Sequence, residues 1–420
     1  MVQLIYGLFI IILIIYLIIY GCYKSNKISP PIGGILFILL CILILYYIFQ
    51  LLFFPMRTWL TGTVCVGVFV IYLLTIKKPF SVKLRRIAIF SLAGILVILC
   101  VAVFGFRAYQ DSVPNALEEV NLVQYEPFRY NTLVKNLNET STLSLVGTLP
   151  RLDGATALYP LYSAFVRATY PAPNGDENKY CHNNIKSSVV ICSKTSGAFN
   201  NLLNGYVDLI FLMGLSNDQQ SQARELNLEL ELTPIGKESF VFFVNSYNPI
   251  SNLTVMDVKG IYSGRITKWS ELGGVNAAIK AYQRLENSGS QTMLEEIMEG
   301  TPIMKAPDID VYPTMRGMYK AVAAYKNYRN SLGYSFRFYL NEMIAENKVK
   351  LLNINGVEPT VVNIANGSYP FTNYIYAISI DRDSQTTEDA ERRDNIKKLI
   401  EWILSPQGQN LIEKTGYVPL

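Results

Sequence analysis

Histidine is nearly absent from this 420-residue chain, which contains only His182. A histidine-based metal site needs several imidazoles. A nucleophilic site needs a base that is spaced from its nucleophile, whereas His182 directly follows Cys181. The chain also lacks a glycine-rich nucleotide loop of the Walker type. The sequence therefore predicts neither an enzyme nor a metal or other cofactor.

Acidic residues are absent from residues 1–107, which contain nine Lys or Arg. The rest of the chain holds 28 basic and 33 acidic residues, a net charge of −5. The overall charge of +4 therefore comes from the front of the chain. No basic stripe interleaved with aromatic residues occurs in the acidic part, so we expect no nucleic-acid partner.

Long apolar runs fill the acid-free region, and each has about the ~20 residues that a helix needs to cross a bilayer. The four runs are Val2–Tyr20, Gly34–Phe54, Trp59–Ile76 and Ile87–Phe106. The alternatives are buried core helices or a cleaved signal peptide, but Met1–Tyr6 lacks the charged start of a signal peptide. We expect four transmembrane helices in a membrane anchor, residues 1–107, with the lipid bilayer as a partner.

Basic residues orient the predicted helices, because cytoplasmic loops are enriched in Lys and Arg. The loop between the third and fourth runs contains five of them: Lys77, Lys78, Lys83, Arg85 and Arg86. That loop is then cytoplasmic, and the fourth helix runs outward. We expect a multi-pass protein of the cell membrane, with a connector at 108–142 and an extracytoplasmic domain at 143–420.

Only two cysteines, Cys181 and Cys192, lie in the predicted extracytoplasmic part. Two cysteines in an oxidising compartment often pair. We expect a disulfide between them, with two free thiols as the alternative.

Short strand-like and helical segments alternate after Leu143, which is typical of α/β layers with a largely parallel sheet. The predicted strands are Leu143–Gly147, Val189–Cys192, Asp208–Phe211, Phe240–Asn245 and Tyr374–Ile380. The predicted helices are Ala157–Tyr170, Gly197–Asn204, Ser290–Met298, Arg316–Tyr328 and Ile396–Leu404.

Three small-residue turns each lead directly into a predicted helix: Asp153–Ala157, Lys194–Ala198 and Asn287–Thr292. The first N–H groups of a helix have no intrahelical partner, and the helix dipole adds positive potential there. Such helix starts bind anions, although a Ser, Thr or Gly turn is also an ordinary N-cap. Arg284 precedes the third turn, and a guanidinium grips two oxygens of an anion at once. Glu286 is a candidate to hold Arg284 or to accept a ligand proton.

Five collinear motifs in 143–420 resemble the phosphate ABC-transporter substrate-binding protein family. They are Asp153–Pro160, Ile261–Trp269, Arg284–Thr292, Gly333–Phe336 and Leu404–Gln409, followed by Gly416–Pro419 at the C-terminus. The resemblance implies a two-lobed, type II periplasmic-binding-protein fold. Lobe one is then 143–238 with 368–420, and lobe two is 239–367. The four-helix anchor indicates a membrane-tethered branch of this superfamily.

The resemblance also implies a ligand-binding set, which is carried over position by position. Its members are Thr156, Ala157, Thr195, Ser196, Arg284, Ser288, Gly289 and Ser290. Ala155 of the first turn and Glu286 beside Arg284 complete the predicted ligand-binding residues. One departure concerns the acid or base that relatives often place after the strand equivalent to Asp208–Phe211, where this chain reads Leu212-Met213-Gly214-Leu215. An acid there favours protonated phosphate over sulfate, so its absence leaves the choice of oxyanion open.

The functional expectation is capture of phosphate or a similar oxyanion for uptake or sensing, with an ABC permease or a membrane signalling protein as partner. Two alternatives belong to other classes of protein. The first is a phosphoester-processing enzyme in the same cleft, for which no nucleophile and base pair is visible. The second is a scaffold that has lost ligand binding, against which the intact Arg284–Thr292 loop argues.

Overall fold

The computed structural model describes residues 117–420, apart from 176, 325, 326, 328 and 383–385. The four predicted membrane helices and residues 108–116 of the predicted connector lie outside the described residues. The described residues form one compact unit. Between 117 and 420, no described helix has both the length and the apolarity needed to cross a bilayer.

Strands and helices alternate along the described residues. The strands are β1 (Leu152–Gly154), β2 (Leu209–Leu212), β3 (Leu230–Asn245), β4 (Asn252–Leu253), β5 (Lys280–Ala281), β6 (Gln283–Arg284), β7 (Val311–Tyr312), β8 (Ser331–Phe336), β9 (Val349–Leu351), β10 (Asn353–Ile354) and β11 (Thr372–Ile380). The α-helices are α1 (Tyr159–Thr169), α2 (Lys194–Leu203), α3 (Asn217–Glu225), α4 (Val255–Tyr262), α5 (Gly289–Ile297), α6 (Met315–Ala323), α7 (Val361–Ala365), α8 (Thr387–Leu404) and α9 (Pro406–Thr415). A π-helix spans Tyr339–Ile344.

The main sheet has the strand order β1-β2-β11-β3-β8-β5, and β9 pairs with β3 off this path. β1 runs parallel to β2, and β5 runs parallel to β8. β11 pairs antiparallel with β2 and β3, and β3 pairs antiparallel with β8 and β9. The expectation of a largely parallel sheet is therefore wrong at the centre. The expected mixed α/β, two-lobed architecture is confirmed.

β3 joins the two lobes, because it changes partner along its length. It pairs with β11 from Leu230 to Ser239 and with β8 from Phe240 to Val244. Its second half is fully buried, and the phenyl ring of Phe242 lies 5.8 Å from that of Tyr262 and 6.2 Å from that of Tyr334, measured between centroids. Such aromatic pairs contribute about 0.5–1.5 kcal/mol each beyond burial.

Several predicted elements differ from the observed ones at their ends. Leu143–Gly147 forms no strand, and Val189–Cys192 contributes only a bridge between Val190 and Leu152. The predicted helix at Ala157 begins as a 3-10 turn, and the α-helix starts at Tyr159. Short segments of this kind depend on neighbours that local patterns do not encode.

The described part of the predicted connector packs on the domain. Val120, Tyr125 and Val134 are buried in its hydrophobic core. The His182 Nδ1 atom lies 2.8 Å from the Glu126 Oε1 atom, which ties this segment to the residues around Cys181. Residues 117–126 are therefore part of the folded unit.

A buried ion pair lies where β3 passes between the lobes. The Glu238 carboxylate accepts N–H bonds from Ser239 at 2.7 Å and Phe338 at 3.0 Å, and its Oε1 atom lies 3.6 Å from Arg337 Nε. Arg337 in turn donates to the Gly416 carbonyl. Burial raises the pKa of Glu238, while the Arg337 charge and the two N–H donors lower it. This pair joins both lobes to the C-terminal Gly416–Pro419 motif.

Replacing Glu238 with Ala is expected to lower the free energy of unfolding by about 3–5 kcal/mol, because it leaves a buried guanidinium unpaired. Denaturant unfolding of the purified full-length chain in detergent measures this loss. The control is Glu231→Ala, an exposed glutamate on the same strand, which is expected to change stability by less than about 0.5 kcal/mol. Equal effects of the two substitutions would contradict the role of the buried pair.

Candidate anion-binding site

Asp153 connects the first two predicted turns. Asp153 is fully buried on β1. Its Oδ1 atom accepts hydrogen bonds from the N–H groups of Gly154 and Ser193, both at 2.7 Å. Its Oδ2 atom accepts from Asn201 Nδ2 on α2 at 2.8 Å. Burial raises the pKa of this carboxyl, and the three donors lower it. The start of α2 is therefore held beside the turn that follows β1.

The first turn presents Ala155, Thr156 and Ala157, all buried. Ala155 is the N-cap of a 3-10 helix, Thr156–Leu158, and its N–H donates to the Phe211 carbonyl at 3.0 Å. The Ala157 carbonyl accepts from the Tyr417 hydroxyl. As at any helix start, the amides of the first turn have no intrahelical acceptor.

The second and third turns meet across the cleft. The Thr195 Oγ1 atom accepts the Gly289 N–H at 3.2 Å, and the Ser196 hydroxyl donates to the Asn287 carbonyl at 2.8 Å. Both turns contain a non-glycine residue with left-handed backbone, Lys194 at φ 66° and Asn287 at φ 59°. Such backbone conformations are costly and cluster at functional sites.

Arg284 is held rigidly in lobe two. Its Nε donates to the Tyr312 carbonyl at 2.8 Å, Nη2 to the Pro313 carbonyl at 2.9 Å, and Nη1 to the Ser290 hydroxyl at 3.2 Å. The residue is only 8% exposed, and burial lowers the pKa of its guanidinium. Among the ion pairs of the described residues, none includes Arg284. All three acceptors of this guanidinium are therefore neutral.

Two further predicted residues lie in the loop before α5. Ser288 is the N-cap of α5, yet its hydroxyl caps no amide and is buried without a hydrogen-bond partner. Glu286 is exposed and is not among the groups that hold Arg284. The expectation that Glu286 fixes this arginine is wrong, because two carbonyls and a hydroxyl satisfy the guanidinium instead.

Hydrogen bonds thus connect the second turn, the third turn and Arg284. The hydrogen bonds of Asp153 connect the first turn to the second.

Sequence reasoning missed Ser216, whose hydroxyl donates to Asn287 Oδ1 at 2.7 Å across the cleft. Ser216 also forms a capping box with Gln219 at the start of α3. The Ser-x-x-Gln spacing is visible in the sequence and follows Leu212–Leu215, where the acid is missing.

The structure does not show the predicted disulfide between Cys181 and Cys192. Their segments are nevertheless adjacent, since the Cys192 N–H donates to the His182 carbonyl at 2.8 Å. Burial raises the pKa of the Cys192 thiol to about 12. Among the described residues, no group of His, Cys, Asp or Glu is suited to hold a metal ion.

A cavity of about 690 Å³ lies beside this site, and its acidic lining does not suit an anion. Three glutamates line it, Glu295, Glu296 and Glu299, together with Ser216 and Thr292. Burial raises the pKa of Glu295 and Glu296. The candidate anion site is therefore the cluster of helix starts and not this cavity.

Comparison with known proteins shows the family. A model of the PBP superfamily domain matches residues 151–407, which is more than half of the chain. The chain belongs to this superfamily of periplasmic-binding proteins.

Curated relatives are named phosphate-binding protein PstS. The protein of Bacillus subtilis is 25% identical over 179 residues, which cover 42% of this chain and 53% of the relative. That of Borreliella burgdorferi is 20% identical over 255 residues, covering 60% of this chain and 87% of the relative. The match thus spans about half of the Bacillus protein.

Solved structures include a phosphate ABC transporter substrate-binding protein from Clostridium perfringens with bound phosphate. It has a TM-score of 0.49 and 21% identity and covers 64% of this chain and 99% of its own. A phosphate transport receptor from Vibrio cholerae has a TM-score of 0.46 and 19% identity. The match covers 64% of this chain and 100% of the receptor.

Gly289 permits the contact between the lobes. A Cβ atom at this position would lie 2.8 Å from Thr195 Oγ1, closer than real contacts allow. Gly289→Ala is expected to loosen the cleft and to speed hydrogen exchange of the amides at the start of both α2 and α5. Hydrogen–deuterium exchange with mass spectrometry of the full-length chain measures this effect.

Gly197→Ala is the matched control, because its Cβ would lie equally close, 2.8 Å, to Ser193 Cβ within α2. Its effect is expected to stay in lobe one. Exchange at α5 that is the same in both variants would show that the Thr195 and Gly289 contact does not hold the lobes together.

Proposed function

We propose that the two-lobed domain binds phosphate or a similar oxyanion outside the cytoplasm, between the three helix starts. The carrying observation is the buried Arg284 guanidinium, which has neutral acceptors and no carboxylate partner among the described residues. A buried charge whose direct hydrogen-bond acceptors are all neutral is costly. A small anion in the cleft supplies a direct counter-charge.

The groups around Arg284 suit an anion with several oxygens. The Ser288 hydroxyl has no hydrogen-bond partner within the described part of the chain. The helix starts at Thr195 and Ser290 add first-turn amides with positive potential. Contacts between the lobes surround this point, so hinge closure would sequester the ligand. The names of the relatives as phosphate-binding proteins support phosphate as the ligand.

Binding without catalysis is the proposed activity. A serine nucleophile needs a base within hydrogen-bond reach, whereas the Ser288 hydroxyl has no hydrogen-bond partner among the described residues. The proposed role is delivery of the anion to an ABC permease, or reporting of its presence to a membrane signalling partner.

Arg284→Ala is expected to weaken phosphate binding by roughly 10- to 100-fold, because hydrogen bonds to charged groups contribute about 1.5–3 kcal/mol. Isothermal titration calorimetry of the full-length chain in detergent measures the dissociation constant. Arg265→Ala is the control, since Arg265 is an exposed arginine of the same lobe. Unchanged affinity in Arg284→Ala would favour a scaffold that does not use this site.

We further propose that residues 1–107 anchor the domain in the cell membrane as four helices. Their lack of acidic residues and the four apolar runs support this anchor. The basic loop between the third and fourth runs supports an extracytoplasmic domain.

The protein is expected to stay in the membrane pellet after an alkaline carbonate wash. Protease added to intact cells is expected to degrade the C-terminal domain, detected with an antibody against it. A cytoplasmic marker protein serves as the control for cell integrity. Release of the protein by carbonate would refute the membrane anchor. Protection of the domain from protease in intact cells would refute the proposed orientation.

A further inference from the structure

The cavity of about 690 Å³ beside the anion site, called the acidic cavity from here on, is lined by both lobes. Its volume lies within the roughly 300–1,000 Å³ of small-molecule pockets. Lobe one contributes Leu215, Ser216, Asn217 and Gln220, and lobe two contributes Thr292, Glu295, Glu296 and residues 298–303. A Cβ atom at Gly214 would lie 3.4 Å from Glu296 Oε1, so this carboxylate comes close to lobe one. A ligand in the acidic cavity would therefore contact both lobes.

Three carboxylates and no basic side chain line the acidic cavity. The acids are Glu295, Glu296 and Glu299, and none of them forms an ion pair within the described part of the chain. The Nζ atom of Lys259 donates to the Glu299 carbonyl at 3.2 Å, which is a bond to the backbone and not to a carboxylate. The cavity thus carries negative charge that no described ion pair neutralises.

The end of α5 adds to this negative potential. The C-terminal end of a helix carries a partial negative charge, which favours cations and disfavours acids. The last turn of α5 contains Glu295 and Glu296 and no basic residue. Burial raises the pKa of Glu296, and the charges of Glu295 and Glu299 raise it further. A bound cation would relieve this repulsion.

Thr292 provides an observation that is independent of charge. It lines the acidic cavity and is only 3% exposed, and its hydroxyl has no hydrogen-bond partner among the described residues. Glu295 and Glu296 follow three and four residues later, on the same side of α5. A buried hydroxyl without a partner is costly, and its oxygen accepts a hydrogen bond from an N–H donor. A donor supplied by a ligand would satisfy it.

We propose that the acidic cavity binds a small organic cation with more than one amino group, such as a linear polyamine. Its ammonium groups pair with the glutamates, and the Thr292 hydroxyl accepts one N–H hydrogen bond. The methylene groups between them pack on apolar side chains of the lining, Leu215, Met298 and Ile303. This site goes beyond oxyanion binding and does not depend on it.

The arrangement of the acids distinguishes a polyamine from a divalent metal ion. Ca²⁺ needs about six to eight oxygen ligands that converge on one point. In the part of the chain that the structure describes, no three His, Cys, Asp or Glu residues form a group that could hold a metal ion. A linear polyamine meets separated carboxylates one by one, through charge-assisted hydrogen bonds.

An acidic rim that only attracts counterions is the alternative, because the side chains of Glu295, Glu296 and Glu299 are exposed. Such a rim would attract cations according to their charge alone. It would give the Thr292 hydroxyl no role. The effect of Thr292 on affinity therefore separates a built site from a solvated surface.

The test is calorimetric titration of the full-length chain with spermidine in non-ionic detergent, without phosphate and at about 0.15 M salt, which screens exposed charges. The double variant Glu295→Gln/Glu296→Gln is expected to bind spermidine about 10-fold more weakly or worse, because charge-assisted hydrogen bonds are lost. Glu358→Gln is the matched control with wild-type affinity, since Glu358 is an exposed glutamate of the same lobe outside the cavity.

Thr292→Val is the second variant, and it tests the hydroxyl without changing the charge. It is expected to weaken spermidine binding by about 3-fold or more. Its melting temperature without ligand is expected to equal or exceed that of the wild type, because the hydroxyl that it removes has no hydrogen-bond partner among the described residues. This combination shows that the loss of affinity does not come from unfolding.

Four results would overturn the inference. They are the absence of saturable heat with spermidine in the wild type, wild-type affinity in Thr292→Val, equal weakening in Glu358→Gln and the double variant, and displacement of spermidine by an equal concentration of Mg²⁺. The second and third results would indicate a solvated acidic rim, and the fourth would indicate a site for divalent ions. All four leave the proposed oxyanion site intact, because phosphate is absent from these titrations.

Discussion

A buried, immobile guanidinium is the constraint on which the candidate site depends. Arginine stays charged even when burial lowers its pKa, so the positive charge of Arg284 is permanent. Two carbonyls and a hydroxyl accept hydrogen bonds from the guanidinium. They fix the orientation of the guanidinium without neutralising its charge. An anion that binds here meets a positive charge that is already oriented. Binding therefore costs little side-chain entropy at Arg284.

The fold delivers this orientation through small pieces of secondary structure. β6 and β7 pair in parallel with Arg284 opposite Tyr312, which places the Tyr312 carbonyl beside the guanidinium. The Arg284 N–H donates to the Tyr334 hydroxyl at 2.8 Å and to Gln291 Oε1 at 3.0 Å, so β8 and α5 hold the same residue. A change in any of these elements would move the charge relative to the helix starts.

Local sequence patterns predicted the three turns and Arg284. Each turn is a short run of small residues next to a helix start, so a few neighbouring positions are enough to recognise it. The antiparallel centre of the sheet was not predictable, since periodicity reveals a strand without its direction. Glu286 was placed in the site by proximity in sequence, although its side chain is exposed. Ser216 reaches the site only through its contact with Asn287, 71 residues away in the chain, and no local pattern identifies such a contact.

Glu118 and Glu119 lie in one short segment that contacts both lobes. The first is paired in lobe two and the second in lobe one, so separation of the lobes must break one set of contacts. The proposed ligand binding and these contacts would both favour closure of the cleft, and linkage would make each strengthen the other. Partly exposed ion pairs are worth at most about 1 kcal/mol each. The segment therefore biases closure without locking it, which leaves the affinity for the anion to decide whether the lobes open.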